Sequence, residues 1–203
     1  NLAYLLICTL TACALLSGCE TLNVLRIINA NSSINPIWQS AITSDALDSR
    51  YIGEKPYISA SVNGKPLLFL LDSGASFSIL FDTPKVKALA LSQGYPLALG
   101  GWGDQQDSQA YQTPVKRFDL GKVHFENIDM AYIPIATSQY FLRPDEALYD
   151  GVIGHDILHH FSWTFDKTQQ LISLSKQALK STKATQSFEL KTSFSKISIK
   201  GKV

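Results

Sequence analysis

The chain has 203 residues, 18 basic and 17 acidic side chains, a formal net charge of +1 and 45% hydrophobic residues, enough for one domain with extensions and a hydrophobic core. Its basic residues form no aromatic-interleaved patch on the body, which excludes a nucleic-acid-binding protein. Its three cysteines, Cys8, Cys13 and Cys19, all fall at the start, which excludes a disulfide framework or a cysteine metal site in the folded body.

Leu2 to Leu16 is apolar and uncharged, and it runs into Leu16-Ser17-Gly18-Cys19. The stretch is short for a membrane span and ends in small residues. It resembles a bacterial lipobox. That resemblance implies a signal peptide over residues 1–19, lipidation of Cys19, and attachment to a membrane of the cell envelope. Glu20, where an Asp would mark inner-membrane retention, points to the periplasmic face of the outer membrane. An ordinary signal peptide and a signal anchor are the alternatives. Residues 20–54 are rich in Asn and Ser, with small apolar islands at Val24 to Ile28 and Ile34 to Ile42. They read as a tether, partly packed on the domain next in the chain.

That domain is expected over residues 55–175. Pro56 to Val62 and Pro66 to Leu71 flank Asn63-Gly64. Two apolar strands around Asn-Gly predict a tight hairpin, since both turn residues tolerate φ > 0. Leu67 to Leu71 is continuously apolar, so it reads as a strand covered on both faces. It stops on Asp72. Gly74 allows a tight turn there, Ala75 keeps its underside small, and Ser76 to Phe81 leaves as another strand. A carboxylate at the tip of an apolar strand is a poor structural acid and a good general acid or base. Ser73 has no nucleophile elbow around it and is excluded as a nucleophile. Asp82-Thr83-Pro84 then predicts a short helix, with a capping side chain and Pro in the first turn, ending near Leu91.

Leu97-Ala98-Leu99-Gly100-Gly101-Trp102-Gly103 is glycine-rich and predicts either a mobile hairpin or a plain turn carrying a surface Trp. Ala110 to Leu120, Lys122 to Phe125 and Met130 to Ile135 read as strands, with turns at Gly121 and at Glu126-Asn127. Thr137 to Ala147 reads as a polar surface loop. Next comes Tyr149-Asp150-Gly151-Val152-Ile153-Gly154-His155-Asp156-Ile157-Leu158. Asp150 is rejected as a catalytic acid, because no Ser/Thr-Gly-Ala follows it; it is expected to make a local turn bond. A helix is expected from Asp156 to Phe161. His155 and His159 are four apart, but neither a following Glu nor a third ligand is evident, so no metal site is expected. Phe161 to Leu174 reads as a closing hairpin. The remainder, residues 176–203, is a basic tail. Ser175 to Val203 carries seven lysines and one glutamate, against 11 basic and 16 acidic residues from Glu20 to Leu174.

Asp72-Ser73-Gly74-Ala75 behind its apolar strand, followed by Val152-Ile153-Gly154 and His155-Asp156-Ile157-Leu158, resembles the paired signatures of the single-lobe, retropepsin-like aspartic proteases. The likeness covers about residues 55–175. It implies an all-β fold, a retropepsin-like acid protease barrel lobe with one or two short helices. Val152, Ile153 and Gly154 would cross the catalytic loop and complete its psi shape. Gly100, Gly101, Trp102 and Gly103 would form a flap over the substrate. Asp72 would be catalytic, with Ser73, Gly74 and Ala75 forming its loop and Ser73 bonding to a partner. The activity implied is peptide-bond hydrolysis without cofactor or metal, by paired aspartates sharing one water. With one such acid per chain, the expected partners are a peptide or protein substrate and a second copy of the chain. A departure stands at His155, where retroviral members often carry Arg, and it touches the dimer contacts. Two other readings remain: a non-catalytic peptide- or protein-binding module on the same fold, and one half of a truncated tandem protease. Ile197-Ser198-Ile199-Lys200-Gly201-Lys202 echoes Ala60-Ser61-Val62-Asn63-Gly64-Lys65, as the first hairpin of a second lobe would.

Overall fold

The computed structural model describes residues 22–39, 41–98, 109–134, 149–177, 190–193 and 196–199. Cys19, the expected flap residues Gly100, Gly101, Trp102 and Gly103, and the expected loop from Thr137 to Ala147 lie outside the described residues.

The fold is mostly β-sheet, as expected. Helix α1 spans residues 22–32. Strands β1 (Ile37–Trp38), β2 (Ser44–Leu47), β3 (Ser49–Ile52), β4 (Lys55–Val62), β5 (Lys65–Leu71) and β6 (Ile79–Phe81) come after it, then helix α2 (Pro84–Lys87). Next are β7 (Pro96–Ala98), β8 (Gln109–Leu120), β9 (Val123–Ile133), β10 (Gly151–Ile153) and helix α3 (His155–Leu158). The described chain closes with β11 (Ser162–Asp166), β12 (Leu171–Ser175) and the hairpin of β13 (Leu190–Ser193) with β14 (Lys196–Ile199). Among the described residues the main sheet has nine strands in the order β1-β9-β6-β10-β5-β4-β8-β7, with β3 on β4 and a further β8–β9 ladder. A second sheet runs β11-β12-β2.

The hairpin at Asn63-Gly64 forms as read. Both residues have positive φ, 49° and 81°, and Val62 pairs with Lys65. Such a turn matches the twist of the flanking strands. The Asn63 side chain is used too: its Oδ1 accepts the Arg117 N–H at 3.0 Å. Strand β5 divides its side chains between two apolar clusters. Leu67, Phe69 and Leu71 enter one with Ile58, Phe118 and Phe125. Leu68 and Leu70 pack on the other, around Tyr57, Phe81, Tyr149 and Val152. That two-sided cover is why its sequence is a continuous apolar run and not an alternating one.

Three local expectations need correction. Glu126-Asn127 does not end a strand; β9 continues through it, with Arg117 facing Glu126 and Val115 facing Ile128. Asn127 takes φ 54°, and the buried positions change phase there, from Val123 and Phe125 to Ile128 and Met130. The turn signal marks a kink that both strands share. The helix after Asp82 stops at Lys87, and Ala90 takes φ 48°. Helix α3 starts one residue earlier than expected and stops at Leu158.

The segment read as a tether contains ordered elements. Ile27 of α1 is fully buried against Phe77, Ile79 and Ala131. Asn23 donates to the Pro96 carbonyl at 3.0 Å. Strand β1 pairs with β9, β2 with β12 and β3 with β4. Asn and Ser gave the segment a linker composition, but Asn23 and Asn31 are buried and hydrogen-bonded.

Candidate active site

Asp72 stands at the end of β5, half-buried, with Ser73 and Gly74 exposed beside it. The turn is closed by its own backbone and side chain. The Gly74 N–H donates to Asp72 Oδ1 at 2.8 Å, and the Ala75 N–H donates to the Asp72 carbonyl at 3.2 Å. Those bonds hold the carboxylate at the strand tip.

Strand β10 enters from far along the chain and threads between the two strands that the turn joins. It runs parallel to β5, with Gly151, Val152 and Ile153 beside Phe69, Leu70 and Leu71, and antiparallel to β6, with Gly151 beside Leu80. Val152 and Ile153 are fully buried. The Asp72 N–H donates to the Ile153 carbonyl at 3.1 Å, and the His155 N–H donates to the Ala75 carbonyl at 2.8 Å. The two sequence motifs thus meet through backbone bonds. The crossing leaves no room for side chains. A Cβ on Gly151 would lie 2.4 Å from the Ile79 carbonyl oxygen, and one on Gly154 would lie 2.6 Å from that of Phe77. Val152, Ile153 and Gly154 thus lie against the turn of Asp72, Ser73, Gly74 and Ala75.

A cleft of about 390 Å³ opens beside Asp72. Leu70, Leu71, Pro56 and Tyr149 give it apolar walls, and Glu54 and Lys55 bring charge. Tyr149 is fully buried, edge-on to Phe81 with ring centroids 5.6 Å apart. Strands β7 and β8 pair up to Ala98 and Gln109, so the glycine-rich stretch connects two paired strands.

Asp150 is committed elsewhere. Its Oδ2 accepts the Leu68 N–H at 2.9 Å, and its Oδ1 accepts the Thr83 hydroxyl at 2.6 Å. Its bonds are long-range, over 82 and 67 residues, and not the local turn bond expected. Buried and doubly bonded, it ties the middle of β5 to the start of α2.

A polar network that the motifs did not single out lies beneath the turn. Asp156 is buried in the first turn of α3. Ser78 Oγ donates to its Oδ1 at 2.8 Å, and Asn31 Nδ2 donates to its Oδ2 at 3.0 Å. Burial pushes this carboxyl upward, against the pull of those bonds. Ser78 Oγ also accepts the Gly154 N–H at 3.1 Å. The Asp at the third position of Gly-His-Asp was a visible signal; its partner in α1 had none.

The histidine rings lie together, tilted to one another by 32° and 37°. His155 and His159 have ring centroids 5.3 Å apart, and His159 and His160 3.9 Å. His159 Nδ1 is 2.7 Å from the His155 carbonyl. Burial, with His159 adjacent, pushes the His155 pKa down. Burial and the two neighbouring rings push His160 down to about 4. Among the described residues no group of three His, Cys, Asp or Glu side chains is arranged to hold a metal.

The family model for aspartyl proteases matches residues 58–157, a span that holds the first motif and all of the second but Leu158. Among 24 solved chains that match is a retropepsin-like aspartic protease from Rickettsia conorii. It is 19% identical, with 70% of this chain and 94% of that chain covered and a TM-score of 0.46. No curated protein matches the chain.

Proposed function

We propose that the chain, whose residues 58–157 match the aspartyl protease family, is a single-lobe, retropepsin-like endopeptidase acting as a symmetric homodimer, with Asp72 of each protomer facing one water. The supporting observation is the Asp72 turn locked by β10, with a cleft beside it. One lobe with this turn supplies one such acid, and a second copy supplies the other. Two adjacent carboxylates cannot both ionise easily, so the pair holds one proton. The ionised member takes a proton from the water as its oxygen attacks the peptide carbonyl carbon. The protonated member donates to the carbonyl oxygen. The leaving nitrogen then receives a proton as the C–N bond breaks.

Ser73 is exposed beside the acid, which supports a contact with the partner's turn. The apolar walls at Leu70, Pro56 and Tyr149 suit an apolar side chain of an extended peptide. Gly100, Gly101, Trp102 and Gly103, between paired strands, suit a flap that lowers backbone amides onto that peptide. Leu16-Ser17-Gly18-Cys19 supports lipidation at Cys19 and an address at the periplasmic face of the outer membrane.

The test is cleavage of a mixed peptide library across acidic to neutral pH, with Asp72→Asn beside the parent chain. The variant should lose about 10²-fold or more in rate, the scale of acid–base catalysis, with its melting temperature unchanged. Specific activity should rise with protein concentration as dimers form, and added Asp72→Asn should depress it beyond simple dilution. Peptide binding without cleavage would instead identify a binding module.

A further inference from the structure

The family match begins at residue 58, yet the support of the Asp72 turn is completed from α1, well before it. Asn31 is buried near the end of α1 and uses its whole amide. Its Nδ2 donates to Asp156 Oδ2 at 3.0 Å and to the Asp129 carbonyl at 2.8 Å, and its Oδ1 accepts the Asp129 N–H at 3.0 Å. It is thereby fixed to β9 on one side and to α3 on the other.

From Asp156 the bonds lead to the acid. Asp156 accepts Ser78 Oγ, and Ser78 Oγ accepts the Gly154 N–H. A Cβ on Gly154 would lie 2.6 Å from the Phe77 carbonyl and 2.9 Å from the Ala75 oxygen, so the backbone there is closely packed. The His155 N–H holds Ala75, and the Ala75 N–H holds Asp72. At the other end of α1, Asn23 donates to the Pro96 carbonyl of β7, the strand that leads into the glycine-rich stretch. Helix α1 therefore reaches β7 near one end and β9 and α3 near the other, with one buried amide at each.

We propose that Asn31 is a positioning residue, which completes the buried carboxylate of Asp156 from α1 and so fixes the turn that carries Asp72. A buried carboxylate that loses one of its donors is destabilised, even with the Ser78 and Ile157 backbone N–H groups still on it, and the shortest relief is movement of α3 and of the Ser78 hydroxyl. Either movement releases Gly154 and the turn above it. The dependence on α1 makes the N-terminal helix part of the working domain. The activity arm of this inference rests on the reading of Asp72 as catalytic; the exchange arm does not.

The experiment uses the full chain with Asn31→Ala and Asn31→Asp, reading amide hydrogen exchange and, separately, kcat and KM. Asn31→Ala should lower protection about ten- to a hundredfold in residues 72–78 and 154–157, the scale of losing the charge-assisted bond to Asp156, while the loss at Asp129 reports only its own two bonds to Asn31. The hairpin of β4 and β5 serves as the internal reference and should keep its protection. kcat should fall by a similar factor, with KM nearly unchanged. Asn31→Asp is of equal size, so it tests the bond without opening a cavity. It sets two buried carboxylates together, which can coexist only by sharing a proton, so its defect should deepen as pH rises. The groups facing Asp156 are the side chains of Asn31 and Ser78 and the backbone N–H groups of Ser78 and Ile157, with His155 adjacent in α3; the Asp129 carboxylate is turned onto Gln112 Nε2 at 2.7 Å. Protection lost by one factor everywhere, or lost nowhere, overturns the proposal and leaves α1 as stabilising cover. If the parent chain cuts no peptide, the protease reading fails while the exchange pattern still decides the role of Asn31.

Discussion

Gly154→Ala is the sharpest test of how tightly the second motif closes on the first. Gly154 has φ −98° and ψ −172°, an extended backbone that any residue adopts, so the substitution carries no conformational strain. Its whole effect is steric. The added Cβ would lie 2.6 Å from the carbonyl carbon and oxygen of Phe77 and 2.9 Å from the Ala75 oxygen, where 3.4 Å begins ordinary contact. The obstacles are backbone, so no side chain can swing away. Relief requires about 0.8 Å of separation between α3 and the strand that follows the Asp72 turn. Overpacking of a methyl group typically costs about 1–3 kcal/mol, and backbone on both sides places this case at the upper end. For a domain of this size the melting temperature should fall by about 5–10 °C. Cleavage should fall further than the folded fraction does, because the displaced atoms belong to the residues that hold Asp72. Gly53→Ala is the control. Gly53 has φ +59° and nothing within 4 Å of a Cβ, so it should lose about 1 kcal/mol through backbone strain alone and keep full activity per folded molecule. Urea unfolding of both variants, with cleavage corrected for the folded fraction, separates the two. A Gly154→Ala protein within about 0.5 kcal/mol of the parent, the range of a neutral surface change, would refute the claim that the crossing is closed.

Two further outcomes concern the buried polar groups. Asp150→Ala should destabilise by about 2–4 kcal/mol by stranding the Leu68 N–H and the Thr83 hydroxyl, while cleavage per folded molecule persists; cleavage abolished in a folded Asp150→Asn protein would make Asp150 the second acid after all. His160 has its pKa pushed down to about 4 by burial and by His159 and His155, so the unfolded chain binds its proton first. Its contribution is present above about pH 6.5, the unperturbed value, and is lost as pH falls toward 4. His160→Gln should flatten the pH dependence of urea stability across that window, and an unchanged slope would show that the ring does not resist protonation.

What the sequence made legible was whatever is carried by neighbours along the chain. Asn63-Gly64 specified its turn, Leu67 to Leu71 its strand, and Asp72-Ser73-Gly74-Ala75 its acid-bearing loop, because each needs only adjacent residue types. Gly151 and Gly154 were visible as glycines, and the structure explains them by carbonyl oxygens of Ile79 and Phe77 lying where a Cβ would be. The illegible part is the wiring between distant polar residues. Asn31 meets Asp156 across 125 positions, Ser78 meets it across 78, and Thr83 meets Asp150 across 67. No local periodicity announces such pairs, and an Asn in a Ser- and Asn-rich stretch is indistinguishable by composition from one in a linker. The same physics explains why these residues are buried at all. The turn at Asp72 satisfies its polar groups only by calling on β10, and β10 is seated by α3, whose Asp156 in turn requires two donors from elsewhere. A site built at the crossing of two loops transfers its hydrogen-bonding demand outward until some element can meet it. Here that element is α1, which is why a helix that composition reads as tether ends up bonded beneath the turn that carries Asp72.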